Sequence, residues 1–191
     1  MWALCMAALM AWPASALPPE VGGEWGPPIA WPHVAVSMAN LPDGRVLTWA
    51  SNERDAFPGG RPEFSYAATW NPATGQFIEL PHPAHDMFCA SLVMVEDGSV
   101  FVTGGRNQAN SPWTSVFDFR TNTWTMLDNM NRGRWYPTSV ALPTGEVLIA
   151  VGIGGAQYPE KYVPGSGWTL LTGIDLTEPI LQYGLRDGAG L

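Results

Sequence analysis

Lysine is almost absent from this sequence of 191 residues: Lys161 is the only one, and the other eight of the nine basic residues are arginines. Charged residues make up only 14% of the chain, and the net charge is −8. Because proteins that bind nucleic acid need clustered Lys and Arg to neutralise phosphates, this composition argues against a nucleic-acid partner. The hydrophobic content of 46% in turn excludes wholesale disorder.

Apolar runs long enough to span a membrane are also lacking. The stretch from Trp2 to Trp12 is shorter than the roughly 20 residues that a bilayer requires, and Pro13 interrupts it. Small residues follow at positions 14–16, a pattern typical of a secretory signal peptide cleaved after Ala16. Residues 1–16 are therefore predicted to be a signal peptide, the alternative being a buried N-terminal helix or strand. The rest of the chain is predicted to be secreted or periplasmic, with no membrane partner.

Cysteine is scarce, since the chain contains two and the first, Cys5, lies within the predicted signal peptide. The exported chain would retain Cys89 alone, and a lone cysteine cannot close an internal disulfide. One interpretation is a buried thiol that packs as a small hydrophobe. The other is a cysteine with a chemical role.

Glycine, proline and tryptophan are abundant, with 21, 18 and 10 residues, and they favour short strands and turns over helices. Three segments repeat one pattern of apolar strand, two-residue turn ending in Gly, second apolar strand, polar loop and aromatic pair. The turn glycines Gly44, Gly98 and Gly145 are 54 and 47 residues apart. The late aromatics Phe77, Trp124 and Trp168 are 47 and 44 residues apart.

A repeat of this length with four short strands is typical of a β-propeller blade, and the pair Gly104-Gly105 after the second strand indicates the kelch type. Val100, Phe101 and Val102 form a continuous apolar run, as expected for a strand packed on both faces between blades. The fold class is therefore predicted to be all-β, a kelch-type propeller. The alternative is a β-sandwich with coincidental spacing.

The repeats also predict the organisation of the chain. Residues 17–32 form a Pro-rich lead-in segment, residues 33–175 form three blades, and residues 176–191 begin a further blade that stops mid-pattern. Propellers close with four to eight blades. Three blades would be an incomplete ring, so the chain is predicted to be an N-terminal fragment of a larger propeller.

Two motifs occupy equivalent places at the start of the first strand in successive blades, His85-Asp86-Met87-Phe88-Cys89 and Arg134-Trp135-Tyr136-Pro137. Innermost strands of neighbouring blades lie side by side, so Cys89 and Tyr136 are predicted to be neighbours. With the hairpin and glycine pair that follow, the first motif resembles the copper radical oxidases, galactose oxidase and glyoxal oxidase. The second motif is more similar to the glyoxal oxidase branch.

This resemblance implies a copper cofactor. In the family, a cysteine and a tyrosine matching Cys89 and Tyr136 are joined by a thioether, and the tyrosine ligates copper and carries a radical. Phe88 is predicted to form an apolar wall beside this pair, and Trp135 is predicted to be a second neighbour of it. The family's axial tyrosine and two histidine ligands come from later parts of the chain, and none is identified here.

The three histidines, His33, His82 and His85, lie in loops or at blade starts without metal-ligand spacing, so contacts to backbone or solvent are expected. Arg132 and Arg134 are expected to be solvated in an inter-blade loop near Asp128. Residues 51–55 are interpreted as an exposed charged hairpin tip.

Two functions remain open. The first is the N-terminal part of a secreted copper radical oxidase that oxidises a primary alcohol, aldehyde or carbohydrate with O2 to give H2O2. On this hypothesis the fragment alone is inactive. The second is a non-catalytic kelch propeller that binds glycan or protein through its loops.

Overall fold

The computed structural model describes residues 19–23, 25–56, 63–105, 111–154 and 157–177. The predicted signal peptide and residues 178–191 of the predicted further blade lie outside these ranges. Two compact units are distinguished, residues 1–30 and residues 31–191. In the described part of the first unit, Pro19–Gly22 form a four-residue helix, α1. No helix within the described ranges is both long enough and apolar enough to cross a membrane.

The second unit contains three antiparallel sheets of four strands, and each sheet is ordered as its strands follow one another in the chain. The first sheet, blade 1, comprises β1 (Ser37–Asn40), β2 (Val46–Trp49), β3 (Ala67–Asn71) and β4 (Gln76–Glu79). Blade 2 comprises β5 (Ser91–Met94), β6 (Val100–Thr103), β7 (Thr114–Asp118) and β8 (Thr123–Met126). Blade 3 comprises β9 (Thr138–Ala141), β10 (Val147–Ala150), β11 (Glu160–Val163) and β12 (Gly167–Leu170). These sheets confirm the all-β fold class.

The first hairpin of each blade uses the same turn. In blade 1, the Gly44 amide donates to the Leu41 carbonyl at 3.0 Å, and the Leu41 amide donates to the Arg45 carbonyl at 2.8 Å. Three residues therefore lie between the paired positions, one more than the two-residue turn expected. Gly44 has a φ of +86°, which explains why glycine recurs at this position in every blade.

The core lies between blades 1 and 2, where β2 of one sheet packs against β6 and β7 of the other. Its largest side chains are Trp49, Leu47, Met87 and Phe117, all with no exposed surface. On β6, Val100 and Val102 face this core, while Phe101 lies against Tyr162 of blade 3, with ring centroids 5.0 Å apart. The continuous apolar run on β6 is therefore buried on both faces, as predicted.

Tryptophan side chains connect each blade to the one before it. The Trp124 indole N–H of blade 2 donates to the Leu80 carbonyl at 2.8 Å, and the Trp168 indole N–H of blade 3 donates to Thr114 Oγ1 at 3.0 Å. The indole combines a large apolar surface with one donor, so a buried tryptophan both fills the interface and fixes its register. This use accounts for part of the high tryptophan content.

Candidate functional site

Cys89 and Tyr136 occupy equivalent positions two residues before the first strands of blades 2 and 3. Both have left-handed backbone conformations, with φ of +61° for Cys89 and +56° for Tyr136. Such values are uncommon outside glycine, and they concentrate where the surrounding structure imposes them for a purpose. The two strained positions therefore mark one place on the molecule.

The structure brings these two residues into direct contact. The Tyr136 amide donates a hydrogen bond to the Cys89 carbonyl at 3.2 Å. Cys89 is present as a thiol, and a hydrogen bond between this thiol and the phenol, with partial burial, raises the pKa of Tyr136 above its usual value. The Tyr136 side chain is otherwise 57% exposed. The repeat spacing thus located a cysteine–tyrosine pair that is open to solvent on one side.

Two glycines make room for this arrangement. A Cβ at Gly104, where φ is +71°, would collide with the Arg134 carbonyl oxygen. A Cβ at Gly105 would collide with the Asp86 carbonyl oxygen. The loops that precede Cys89 and Tyr136 therefore approach the end of β6 more closely than any side chain would allow.

The residues that precede the pair supply aromatic surface on either side. The Trp135 ring is stacked on the Tyr136 ring, with centroids 4.7 Å apart and planes inclined by 29°. Phe88 is half-buried and borders a cavity of about 120 Å³ that Val34, Arg54 and Asp55 also line. Both candidates thus lie beside the cysteine–tyrosine pair, Trp135 by ring contact and Phe88 as the neighbour of Cys89 in the chain.

Two of the three histidines form a buried chain of hydrogen bonds beside the site. The Ala84 amide donates to His82 Nδ1 at 3.1 Å, and His82 Nε2 lies 2.9 Å from Ser115 Oγ. Ser115 Oγ lies 2.7 Å from His85 Nδ1, and His85 Nε2 lies 2.6 Å from the Gly104 carbonyl. Because the Ala84 amide can only donate, His82 is neutral and carries its proton on Nε2. The Gly104 carbonyl can only accept, so His85 also carries a proton on Nε2, and the lowered pKa of this buried ring leaves its Nδ1 unprotonated to accept from Ser115.

These hydrogen bonds exclude His82 and His85 as copper ligands, because all four ring nitrogens have other partners. The third histidine, His33, is buried with its Nε2 3.1 Å from Thr48 Oγ1. No group of three or more His, Cys, Asp or Glu that could hold a metal occurs in the part of the chain that the structure describes. The expectation of backbone or solvent contacts holds only in part: His82 and His85 contact backbone, but all three histidines are buried and each contacts the hydroxyl of Ser115 or Thr48.

Because His82 and His85 are buried in the neutral form, we predict that the free energy of unfolding falls steeply in mild acid. Burial lowers the pKa of His82 to about 4 and that of His85 to about 3, against about 6.5 in an unfolded chain. Below pH 6.5 the unfolded state therefore binds more protons than the folded state, and each histidine removes about 1.4 kcal/mol of stability per pH unit. Urea unfolding at pH 7, 6 and 5 should show this loss continuing towards pH 4.

A His82→Gln variant provides the control. Its stability should fall less steeply between pH 6.5 and 4.5 by about one proton, because one titrating group has been removed. His33, whose pKa is also lowered by burial, contributes to both proteins equally. If stability falls equally steeply with pH in the two proteins, the pH dependence does not come from the buried histidines.

Two expectations about charged loops are wrong. Arg132 is exposed as expected, but the Arg134 side chain is fully buried and forms an ion pair with Glu160. Likewise Ser51 and Asn52 are buried in the segment interpreted as an exposed tip, because the Ser51 hydroxyl closes a local turn with the carbonyls of Glu53 and Ala56. The burial of Arg134 could not be read from its own surroundings in the sequence.

The sequence does contain a signal for Glu160, the partner of Arg134. Strand pairing places Glu160 opposite Ile149, as Ser115 lies opposite Val102 and Ala68 opposite Thr48. All three residues are fully buried. A glutamate at a position where the other blades have a small residue requires a buried cationic partner.

Comparison with known proteins places this geometry in context. A family model for the kelch motif matches residues 88–131. Two galactose oxidase sequences from Gibberella zeae are each 35% identical to this chain over 162 residues, covering 80% of this chain and 23% of the relative. A solved fungal alcohol oxidase of the AA5 family, in complex with copper, matches with a TM-score of 0.68 and 31% identity.

The structural match covers 76% of this chain and 32% of the alcohol oxidase. The chain therefore spans about a quarter of the length of the curated relatives that it matches, and about a third of the solved structure. What these larger proteins bind or oxidise is accordingly a property of those proteins. The kelch-type propeller predicted from the repeats is confirmed.

Proposed function

We propose, from the similarity of most of this chain to galactose oxidase and to a copper-containing fungal alcohol oxidase, that it supplies the cysteine–tyrosine part of a copper radical oxidase's active site. The observation that carries the proposal is the contact between Cys89 and Tyr136. Two strained residues from successive blades are hydrogen-bonded through backbone and side chain, in a chain that is similar to a solved oxidase in complex with copper.

The residues present fit one part of a copper site. Tyr136 is an exposed residue whose phenol oxygen would be one ligand, and copper would favour its deprotonated form against the raised pKa that Cys89 imposes. The remaining ligands are proposed to come from parts of the protein beyond the described residues. Copper, with a thioether-linked tyrosine, would supply the two-electron oxidation of an alcohol or aldehyde while O2 is reduced to H2O2.

The residues around the pair would control its environment. The stacked Trp135 ring would cover one face of the Tyr136 ring and keep water and reductants from it. Phe88 would form an apolar wall next to Cys89, and the cavity beside it would receive the part of a substrate that does not react. The parent protein is proposed to be secreted, with this chain as its N-terminal fragment.

Mass spectrometry of the full-length protein tests the proposal. After incubation with copper and O2, a single peptide containing both Cys89 and Tyr136 is expected, two hydrogen atoms lighter than its two parts. One hydrogen leaves the thiol and one leaves the ring, a bond forms between sulfur and ring carbon, and O2 takes up both hydrogens as peroxide.

A Cys89→Ser variant treated in the same way serves as the control and should yield two separate peptides. If the wild-type protein also yields only separate peptides after copper loading, the proposed cofactor is wrong. The alternative of a non-catalytic kelch propeller that binds glycan or protein would then be favoured.

A further inference from the structure

The buried ion pair between Arg134 and Glu160 joins the loop before Tyr136 to the third blade. Both side chains have no exposed surface, and the guanidinium lies 3.0 Å from Glu160 Oε1. We propose that this pair positions Tyr136 against Cys89, a role that rests on the proposed function of those two residues. Arg134 and Glu160 would be positioning residues, since neither touches the reacting atoms.

The Arg134 guanidinium binds three acceptors, all on blade 3 or the loops that join its strands. It donates to the Val151 carbonyl at 2.8 Å, to the Tyr158 carbonyl at 2.6 Å and to Glu160. Val151 has a φ of +54°, which is strained for a β-branched residue. The planar guanidinium can satisfy several fixed acceptors at once, which a lysine ammonium cannot match.

The Glu160 carboxylate in turn holds the backbone of the loop. It accepts from the Asn131 amide at 2.6 Å, from Asn131 Nδ2 at 2.9 Å and from the Arg132 amide at 3.1 Å. With Arg134, every donor to this carboxylate among the described residues comes from the four residues 131–134. One buried side chain of blade 3 therefore fixes the segment that leads directly to Tyr136.

The backbone on the other side of Arg134 is attached to blade 2. The Gly105 amide donates to the Arg134 carbonyl at 3.0 Å, and the Arg134 amide donates to the Ser111 carbonyl at 3.2 Å. Trp135 exchanges two hydrogen bonds with Ile153, at 3.0 and 2.8 Å. Arg134 thus fixes the loop at the junction of two blades, so that the next turn of the chain presents Tyr136 to Cys89.

The strain at Tyr136 explains why such fixing is needed. A tyrosine with φ of +56° relaxes to a negative φ unless its neighbours hold it, and that relaxation would rotate the ring away from Cys89. The backbone hydrogen bond between the two residues is a single contact at 3.2 Å. The buried ion pair supplies the additional constraint from the opposite side of the loop.

Disulfide trapping measures this positioning without copper. In the full-length protein, Tyr136→Cys places a second thiol next to Cys89, since the amide of residue 136 donates to the Cys89 carbonyl at 3.2 Å and a disulfide requires adjoining backbones. The effective concentration of the two thiols is calculated from the fraction of the protein that carries the disulfide in glutathione redox buffers. Adding Glu160→Gln should lower that effective concentration at least tenfold. Adding Arg134→Lys should also lower it.

The matched control is Val147→Ala, which removes buried atoms from β10 at the end far from Val151. Thermal midpoints of all variants are measured, and variants are compared at temperatures equally far below their midpoints. Val147→Ala should leave the effective concentration within twofold. An equal effect of Glu160→Gln and Val147→Ala, or no disulfide in Tyr136→Cys alone, would overturn the proposed positioning role.

The copper reaction gives a separate result. With native Tyr136, Glu160→Gln should slow formation of the cross-linked peptide at least tenfold relative to Val147→Ala. If the wild-type protein forms no cross-link at all, the proposed function fails, while disulfide trapping still decides whether the ion pair positions residue 136.

Discussion

Replacing Tyr136 by phenylalanine in the full-length protein is expected to abolish copper-dependent peroxide formation, with a loss of about 10³-fold or more. The substitution removes the phenol oxygen, which is the copper ligand proposed for this chain, and leaves the ring that stacks on Trp135 in place. The measurement is the initial rate of H2O2 production from a primary alcohol or aldehyde in copper-loaded protein.

Cys89→Ser separates the ligand from the thioether. It leaves the phenol oxygen in place but prevents the bond between sulfur and ring, so its activity should lie between those of the wild type and Tyr136→Phe. Residues that act as one unit have non-additive effects, so the double variant should be no less active than Tyr136→Phe alone.

Tyr162→Phe is the matched control for this series. It removes a tyrosine hydroxyl from β11, where the ring packs against Phe101 and Trp168 between blades 2 and 3. Its activity should remain within about twofold of the wild type. Retention of more than a tenth of the wild-type rate by Tyr136→Phe would contradict the role proposed for the phenol.

Features that repeat with the blades could be predicted from the sequence. The turn glycines recur because each hairpin requires a positive φ, and the apolar run on β6 reflects burial on both faces. The contact between Cys89 and Tyr136 follows from the same periodicity, since equivalent positions of neighbouring innermost strands lie together. A spacing of 47 residues between them was therefore enough to place one beside the other.

Features that depend on one long-range partner could not be predicted in this way. Arg134 lies in a polar loop, and only the fold brings it to Glu160, which is 26 residues away. The same holds for Ser115, which lies 33 residues from His82 and 30 from His85. These polar contacts do not recur from blade to blade, so the repeat indicates that Glu160 needs a buried cationic partner but not which residue supplies it.

The two residues that make these long-range contacts, Ser115 and Glu160, occupy equivalent positions in their blades. Ser115 in blade 2 and Glu160 in blade 3 have the same register on the third strand, where blade 1 has Ala68. Each is hydrogen-bonded to the loop that leads to a residue of the proposed site: Ser115 accepts from His82 and donates to His85 before Cys89, and Glu160 accepts from Arg134 before Tyr136. The conserved geometry of the blade thus provides an equivalent anchor for both loops, with different chemistry in each.

The largest effect on stability is expected from breaking the ion pair of Arg134. Arg134→Met should lower the free energy of unfolding by about 3–5 kcal/mol, because the buried Glu160 carboxylate would lose its compensating charge. Urea unfolding at pH 7 measures the difference. The exposed pair Arg54–Glu79 provides the comparison, and Glu79→Gln should cost less than about 1 kcal/mol.

The double variant Arg134→Met/Glu160→Leu distinguishes a charge effect from a hydrogen-bonding effect. Removing both charges often restores stability when a buried pair serves electrostatics alone. Here Glu160 also accepts from the Asn131 and Arg132 amides, which would remain buried or partly buried without an acceptor. Only partial recovery is therefore expected. Full recovery of the free energy of unfolding would mean that the Glu160 carboxylate does not hold the loop. The proposed positioning of Tyr136 by the ion pair would then lose its structural basis.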